Sequence, residues 1–178
     1  MEEPFLTRLD PYAESKPIHD PTWFYGRDKL MKRLPAVLVQ GQHIGIFGLR
    51  KVGKTSLIKQ IQQRFVTTPT VYMDCQAFSP KAEIYFKEIF KQLETELLGC
   101  GIKGLPSLKP FETEDFRQQF LILFELWKKS GQQEPFLIIL DEIDKFFPDR
   151  ELKDSELTLS EYVRFFKVLR GLAQSHQC

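Results

Sequence analysis

The sequence predicts an α/β fold, a three-layer sandwich in which a mostly parallel sheet lies between helices. Two observations carry that expectation. Short apolar runs alternate with amphipathic stretches in the order strand, helix, strand, helix, helix, strand, helix, the pattern of a parallel sheet with helices on both faces. One of the runs, Phe136 to Leu140, is apolar at every position, as expected for a strand covered on both sides. A chain of 178 residues, 42% hydrophobic and 28% charged, suits one domain of ordinary size with a real core. It contains no internal repeat and no low-complexity tract.

Taken in order, residues 1–23 carry Pro4, Pro11, Pro17 and Pro21 among few periodic apolar positions and read as an extended N-terminal arm. Residues 24–178 are the expected domain core. A helix is expected over 27–39, with Pro35 starting, kinking or ending it. A short strand is expected at 43–47. From Lys54 onward, Leu57, Ile58, Ile61 and Phe65 recur at helical spacing. Thr70 to Asp74 is the second strand. Ser79-Pro80 has the form of a helix cap followed by a first-turn proline, opening a helix with Phe86, Ile89, Phe90, Leu93 and Leu97 on one side. Residues 99–110 read as a loop. The next helix carries Phe116, Phe120, Leu123, Phe124 and Trp127. After the apolar third strand, charged residues 148–157 read as a loop. Thr158 and Glu161 have capping-box spacing ahead of a helix with Tyr162, Phe165, Phe166, Leu169 and Leu172. The aromatic stripes sit at helical spacing and are expected to pack in the core rather than to stack on bases.

Bulk properties narrow the function. A net charge of +1 predicts no strong grip on nucleic acid or on an anionic membrane. The three cysteines, Cys75, Cys100 and Cys178, are widely spaced without a CxxC pair, which argues against a disulfide framework or a zinc site and fits a reducing compartment. The acidic start of the chain is unlike a signal peptide, and Phe136–Leu140 is too short to span a bilayer. The expected setting is cytoplasmic.

The stretch Gly48-Leu49-Arg50-Lys51-Val52-Gly53-Lys54-Thr55 matches G-x-x-x-x-G-K-[ST], the Walker A pattern. Its chemistry needs these residue types. Glycines let successive backbone N–H groups curl around phosphate oxygens, and the helix that follows adds the positive end of its dipole. Lys54 can reach the β- and γ-phosphates of a nucleotide, and the Thr55 hydroxyl can ligate Mg²⁺. Ser56 is expected near the α-phosphate. A second element, Asp141-Glu142, ends the apolar third strand, the sheet edge at which ligands bind in open α/β folds. Asp141 is the expected Walker B ligand of Mg²⁺, and Glu142 the residue that orients and activates the attacking water. Asp144 is read as a solvated or capping residue. The chain has no N/T-K-x-D guanine motif, no D-x-x-G after the loop and no L-S-G-G-Q, which leaves ATP as the expected nucleotide.

With the arm "DPYAESKPIHDPTWFYGRDKL", the loop "GLRKVGKTSL", "VYMDC" and "LIILDEID", the sequence resembles the STAND-type and related AAA+-like P-loop ATPases from about Asp10 to Asp144. The resemblance implies a P-loop NTPase sandwich of the ASCE type. It also implies that Phe24, Tyr25, Gly26 and Arg27 approach adenine and ribose, with a tight turn into a helix as the alternative reading of Gly26-Arg27. It implies a regulated switch whose ATP and ADP states differ, with self-association or with C-terminal effector and sensor domains as partners.

Such relatives continue into a sensor strand that lies between the phosphate-loop strand and the Asp-Glu strand, followed by a lid domain. The chain ends at Cys178, where that strand is expected to begin, so the sandwich is expected to be incomplete at its C-terminus, leaving unpaired strand edges. A fragment of a longer protein, direct pairing of the two strands, and a strand borrowed from a partner would each account for this. The leading expectation is an ATP-binding and ATP-hydrolysing switch module with a regulatory or defence role. The alternatives are an initiator-like ATPase that loads on nucleic acid, and a nucleotide-gated interaction module without turnover.

Overall fold

The arm segment around Ile18 has little secondary structure of its own, and its backbone groups are met by side chains of a helix. The computed structural model describes residues 16–78, 81–106, 113–132, 134–146 and 155–175. The chain divides into two compact units, Met1–Arg64 and Phe65–Cys178.

In the first unit Asp20 caps a single 3₁₀ turn, Pro21–Trp23, accepting from the Thr22 amide at 2.8 Å and the Thr22 hydroxyl at 2.7 Å. Those bonds hold its carboxyl below the usual range. Helix α1 (Asp28–Val39) follows, with Pro35 inside it. Pro35 has no N–H to give to the carbonyl four residues back, and the helix forgoes that bond and continues to Val39. Helix α2 (Lys54–Gln62) buries Leu57, Ile58 and Ile61, the expected apolar face. Phe65, expected on the same stripe, lies beyond the end of α2.

The expected strand at 43–47 is not a strand. A strand requires a neighbour to take its N–H and C=O groups, and among the described residues none pairs with this segment. Ile44 and Ile46 are half-buried and Phe47 is 92% exposed.

In the second unit, β1 (Thr70–Asp74) and β2 (Leu137–Asp141) pair in parallel, running from Thr70 opposite Leu137 to Asp74 opposite Asp141. Val71 and Met73 point into the core and are fully buried, while Thr70 and Tyr72 are half-buried on the other face. Helix α3 (Ala82–Gly99) supplies the centre of the core through Phe86, Ile89, Phe90, Leu93 and Leu97. Helices α4 (Thr113–Lys129) and α5 (Ser155–Ser175) add Phe116, Phe120, Leu123, Trp127, Phe165 and Leu172. Phe86 stacks on Phe116 at 4.3 Å between centroids and tilts against Phe165 at 5.4 Å, so one ring joins three helices. The aromatic stripes are core, as expected.

Polar atoms near this core find partners. The Trp127 indole N–H donates to the Glu134 carbonyl at 2.8 Å, tying the end of α4 to the turn before β2. Gln92 of α3 accepts from the Tyr72 amide at 3.1 Å. Tyr85 donates to the Cys75 carbonyl at 3.0 Å. Cys75 and Cys100 are free, and burial, then the Asp74 carboxylate, pushes the Cys75 thiol up to about 12, so it behaves as an inert core group.

Several expectations need correction or fall elsewhere. Strand β2 is less covered than its composition implies. Leu137 to Leu140 are half-buried, because the described sheet has two strands, and the buried residue is Asp141. The expected loop over 148–157 is partly helix, since α5 begins at Ser155. Glu161 therefore lies in the second turn of α5, and it caps a different helix. Its Oε2 accepts from the Ala82 amide, the first residue of α3, at 2.8 Å. Ser79 and Pro80 lie outside the described residues, as do Pro4, Pro11, residues 107–110 and 148–154, and Cys178. Among the described residues no helix is long and apolar enough to cross a membrane.

The Glu161 bond gives a direct test of how α3 is anchored. Glu161→Ala should cost about 1–2 kcal/mol in urea unfolding, because an N-terminal amide of α3 loses a charged acceptor. Arg164→Ala should cost under about 0.5 kcal/mol, since the Glu161–Arg164 pair at 3.6 Å is partly solvated.

Candidate functional site

The Gly48–Thr55 segment folds back on itself through its own lysine. Gly53 is the N-terminal cap of α2 and has φ +83°, a left-handed conformation that a residue with a Cβ adopts at a cost. A Cβ on Gly48 would lie 3.2 Å from the Val52 side chain, which would have to shift slightly to admit it. Lys51, between them, takes φ +63° without being glycine. No side chain caps α2, and its first-turn N–H groups have no acceptor one turn earlier. The Lys54 ammonium donates to the carbonyls of Gly48 and Leu49, both at 3.1 Å.

Arg27 joins this loop. Its guanidinium donates to the Val52 carbonyl, and it is the nearest group to where a Cβ on Gly53 would stand, at 3.8 Å. Gly26, with φ +75° and open space around it, makes the turn into α1. Of the residues singled out in the sequence, Arg27, Gly48, Leu49, Val52, Gly53 and Lys54 are thus brought together. Tyr25 is 68% exposed and Leu49 81% exposed, and Arg50 is also exposed. Thr55 is half-buried in the first turn of α2.

Ser56 is only 7% exposed, and its hydroxyl accepts from the Ile18 amide at 2.9 Å. Gln60, one turn on, donates to the carbonyls of Ile18 and His19 at 3.1 and 2.8 Å, and Gln63 donates to His19 at 2.8 Å. This seam between arm and α2 is absent from the sequence reading. Its sequence signal is the four- and three-residue spacing of Ser56, Gln60 and Gln63, the last being the C-cap of α2.

In the second unit the two acidic residues stand at the C-terminal end of β2. Asp141 is 6% exposed. Its Oδ1 accepts from the Glu142 amide at 3.0 Å and its Oδ2 from the Tyr72 hydroxyl at 2.9 Å. Among the described residues no lysine or arginine forms an ion pair with it. Glu142 has φ +51°, the other positive value at a non-glycine residue among the described residues, and its amide is turned back onto the preceding carboxylate. The next four residues, Ile143–Phe146, form a 3₁₀ turn that includes Asp144. Asp74, opposite Asp141 in the register, accepts from the Gln76 amide at 3.0 Å. Tyr72 was not a candidate from sequence, where it reads as an ordinary strand aromatic. Burial, then the bond to Asp141, raises its phenol well above the ordinary range, so it is a hydrogen-bond donor at neutral pH.

A Mg²⁺ ion that rides on a nucleotide takes one or two protein oxygens and leaves the rest of its shell to phosphate and water. Within the second unit Asp141 fits the part of such an oxygen, a buried carboxylate without a cationic partner among the described residues. Within the first unit Thr55 offers a hydroxyl. Groups of three or more His, Cys, Asp and Glu that could hold a metal by themselves do not occur among the described residues.

The model of the family described as Novel STAND NTPase 6 matches residues 24–160, well over half of the chain and inclusive of both the Gly48–Thr55 loop and the Asp141-Glu142 pair. No curated protein and no solved structure matches. The chain belongs to the Novel STAND NTPase 6 family.

Proposed function

We propose that this chain is a nucleotide-binding switch module that takes ATP with Mg²⁺ on the Gly48–Thr55 loop and hydrolyses it with Glu142. The observation that carries the reading is the loop itself, with a left-handed Gly53 opening α2 and Lys54 folded onto the Gly48 and Leu49 carbonyls. Those carbonyls are neutral acceptors. The β- and γ-phosphate oxygens of a nucleotide are anionic and form bonds roughly twice as strong with an ammonium. The lysine therefore exchanges favourably from the carbonyls to phosphate. Backbone N–H groups of residues 51–55 and the start of α2 add to the same anion site. Arg27 holds the loop in shape through Val52, while Tyr25 and Gly26 lie on the adenine and ribose side.

Thr55 and Asp141 would hold Mg²⁺, which neutralises phosphate charge when bound. Glu142 orients the attacking water and accepts its proton. As a switch, the module signals through self-association or through effector and sensor domains. Family membership supports the nucleotide and the switch. The pairing of a phosphate loop with a strand-end Asp-Glu supports turnover.

Saturating Mg-ATP should raise the melting temperature of the 178-residue chain by about 5–10 °C at ~100 times Kd, with a smaller shift for Mg-GTP. Lys54→Ala should remove the ATP shift. No shift in the wild type would sink the reading.

Glu142→Gln should keep the ATP shift and lower phosphate release by about 10²–10⁴-fold. Equal release by wild type and variant would take Glu142 out of the role. Tight ATP binding with no release by the wild type would favour a nucleotide-gated interaction module instead.

A further inference from the structure

Asp141 is held by two donors, one from the residue that follows β2 and one from β1. The Glu142 amide comes with the Asp-Glu pair. The Tyr72 hydroxyl comes from β1, where the register sets Tyr72 opposite Ile139, two residues before the Asp74–Asp141 pair. An aspartate carboxylate rotates in a broad, roughly two-fold torsional well. One donor on Oδ1 leaves that rotation open. A second donor on Oδ2 fixes the plane of the group. Each carboxylate oxygen has two acceptor sites, so both stay able to accept a further ligand while the plane is held.

We propose that Tyr72 is a positioning residue for the divalent-cation site, its hydroxyl holding the Asp141 carboxylate in the orientation that receives Mg²⁺ or a water of its shell. The proposal rests on the reading of Asp141 as the Mg²⁺ carboxylate. The competing role for the hydroxyl is a structural tie between β1 and β2. That role would change stability and leave metal dependence alone, whereas groups that orient metal ligands change metal affinity about 10–100-fold when removed.

The test is a Mg²⁺ titration of ATP binding to the full chain, for wild type, Tyr72→Phe and Asp141→Asn, with melting temperatures measured in the absence of nucleotide. Tyr72→Phe keeps the ring and removes only the hydroxyl. The expected result is a rise of about 10-fold in the Mg²⁺ concentration at half-saturation for Tyr72→Phe. ATP binding in excess chelator should be unchanged in that variant, and the rise for Asp141→Asn should be larger. If Asp141→Asn shifts the Mg²⁺ dependence and Tyr72→Phe does not, the positioning role is overturned while the Asp141 reading stands. A lower melting temperature for Tyr72→Phe with unchanged Mg²⁺ dependence makes the hydroxyl a structural tie and also overturns the proposal. If Asp141→Asn leaves the Mg²⁺ dependence unchanged, the Asp141 reading fails and the proposal falls with it.

Discussion

The parallel register of β1 and β2 is the constraint on which the setting of Asp141 depends. A slip of one residue would turn every side chain of a strand to the opposite face. Val71 and Met73 are fully buried against the α3 side of the core, so such a slip would expose two apolar residues and bury Tyr72 and Asp74 in their place. Each fully buried apolar side chain contributes roughly 1.5–3 kcal/mol, which is more than the alternatives could offset. With the register fixed, the Tyr72 hydroxyl and the Asp141 carboxylate fall within hydrogen-bond reach on the face away from that core. The packing of Phe86 on Phe116 and Phe165 joins α3 to α4 and α5. A separate bond, from the Tyr72 amide to the Gln92 side-chain oxygen, ties β1 to α3.

Local conformation is spent where the motifs are. Among the described residues, the non-glycine residues with positive φ are Lys51 and Glu142. One lies in the Gly48–Thr55 loop and the other directly after the strand-end aspartate. A left-handed residue with a Cβ costs about 1–2 kcal/mol, and such strain persists only where the surroundings over-determine it. At Glu142 the bond from its own amide to Asp141 Oδ1 supplies that determination. At Lys51 the neighbouring Val52 carbonyl is held by Arg27. In both places a backbone group is fixed by a charged side chain, the stronger class of hydrogen bond.

How much of this was legible in the sequence follows from which forces act locally. β1 was readable to the residue, because Thr70 to Asp74 is bounded by a proline and a 3₁₀ turn and its apolar alternation is clean. The aromatic stripes of α3 and α4 were readable because a 3.6-residue period is a property of the segment alone. The strand expected at 43–47 was not, because a strand exists only with a partner, and no single segment encodes whether one is there. Glu161 was read as capping its own helix from spacing to Thr158, yet its carboxylate serves Ala82, 79 positions away. Tyr72 and Gln60 were missed for the same reason. Their roles lie in what they reach across space, and nothing in their own neighbourhood marks them.

The seam between the arm and α2 links the loop to the segment around Ile18 and His19. Residues 16–20 form no helix or strand, so their backbone groups need side-chain partners wherever water is excluded. Ser56, Gln60 and Gln63 follow at steps of four and three, which places them along one face of α2. Together they take the Ile18 amide and the Ile18 and His19 carbonyls. Gln60 is 4% exposed, and its side-chain amide is satisfied by two carbonyls of the arm. Ser56 is adjacent to Thr55 and lies in the first turn of α2. Any displacement of that turn must carry Ile18 with it or break the bond from its amide. The Ile18 segment is therefore part of the mechanical support of the Gly48–Thr55 loop, joined to it at the turn where the loop becomes helix.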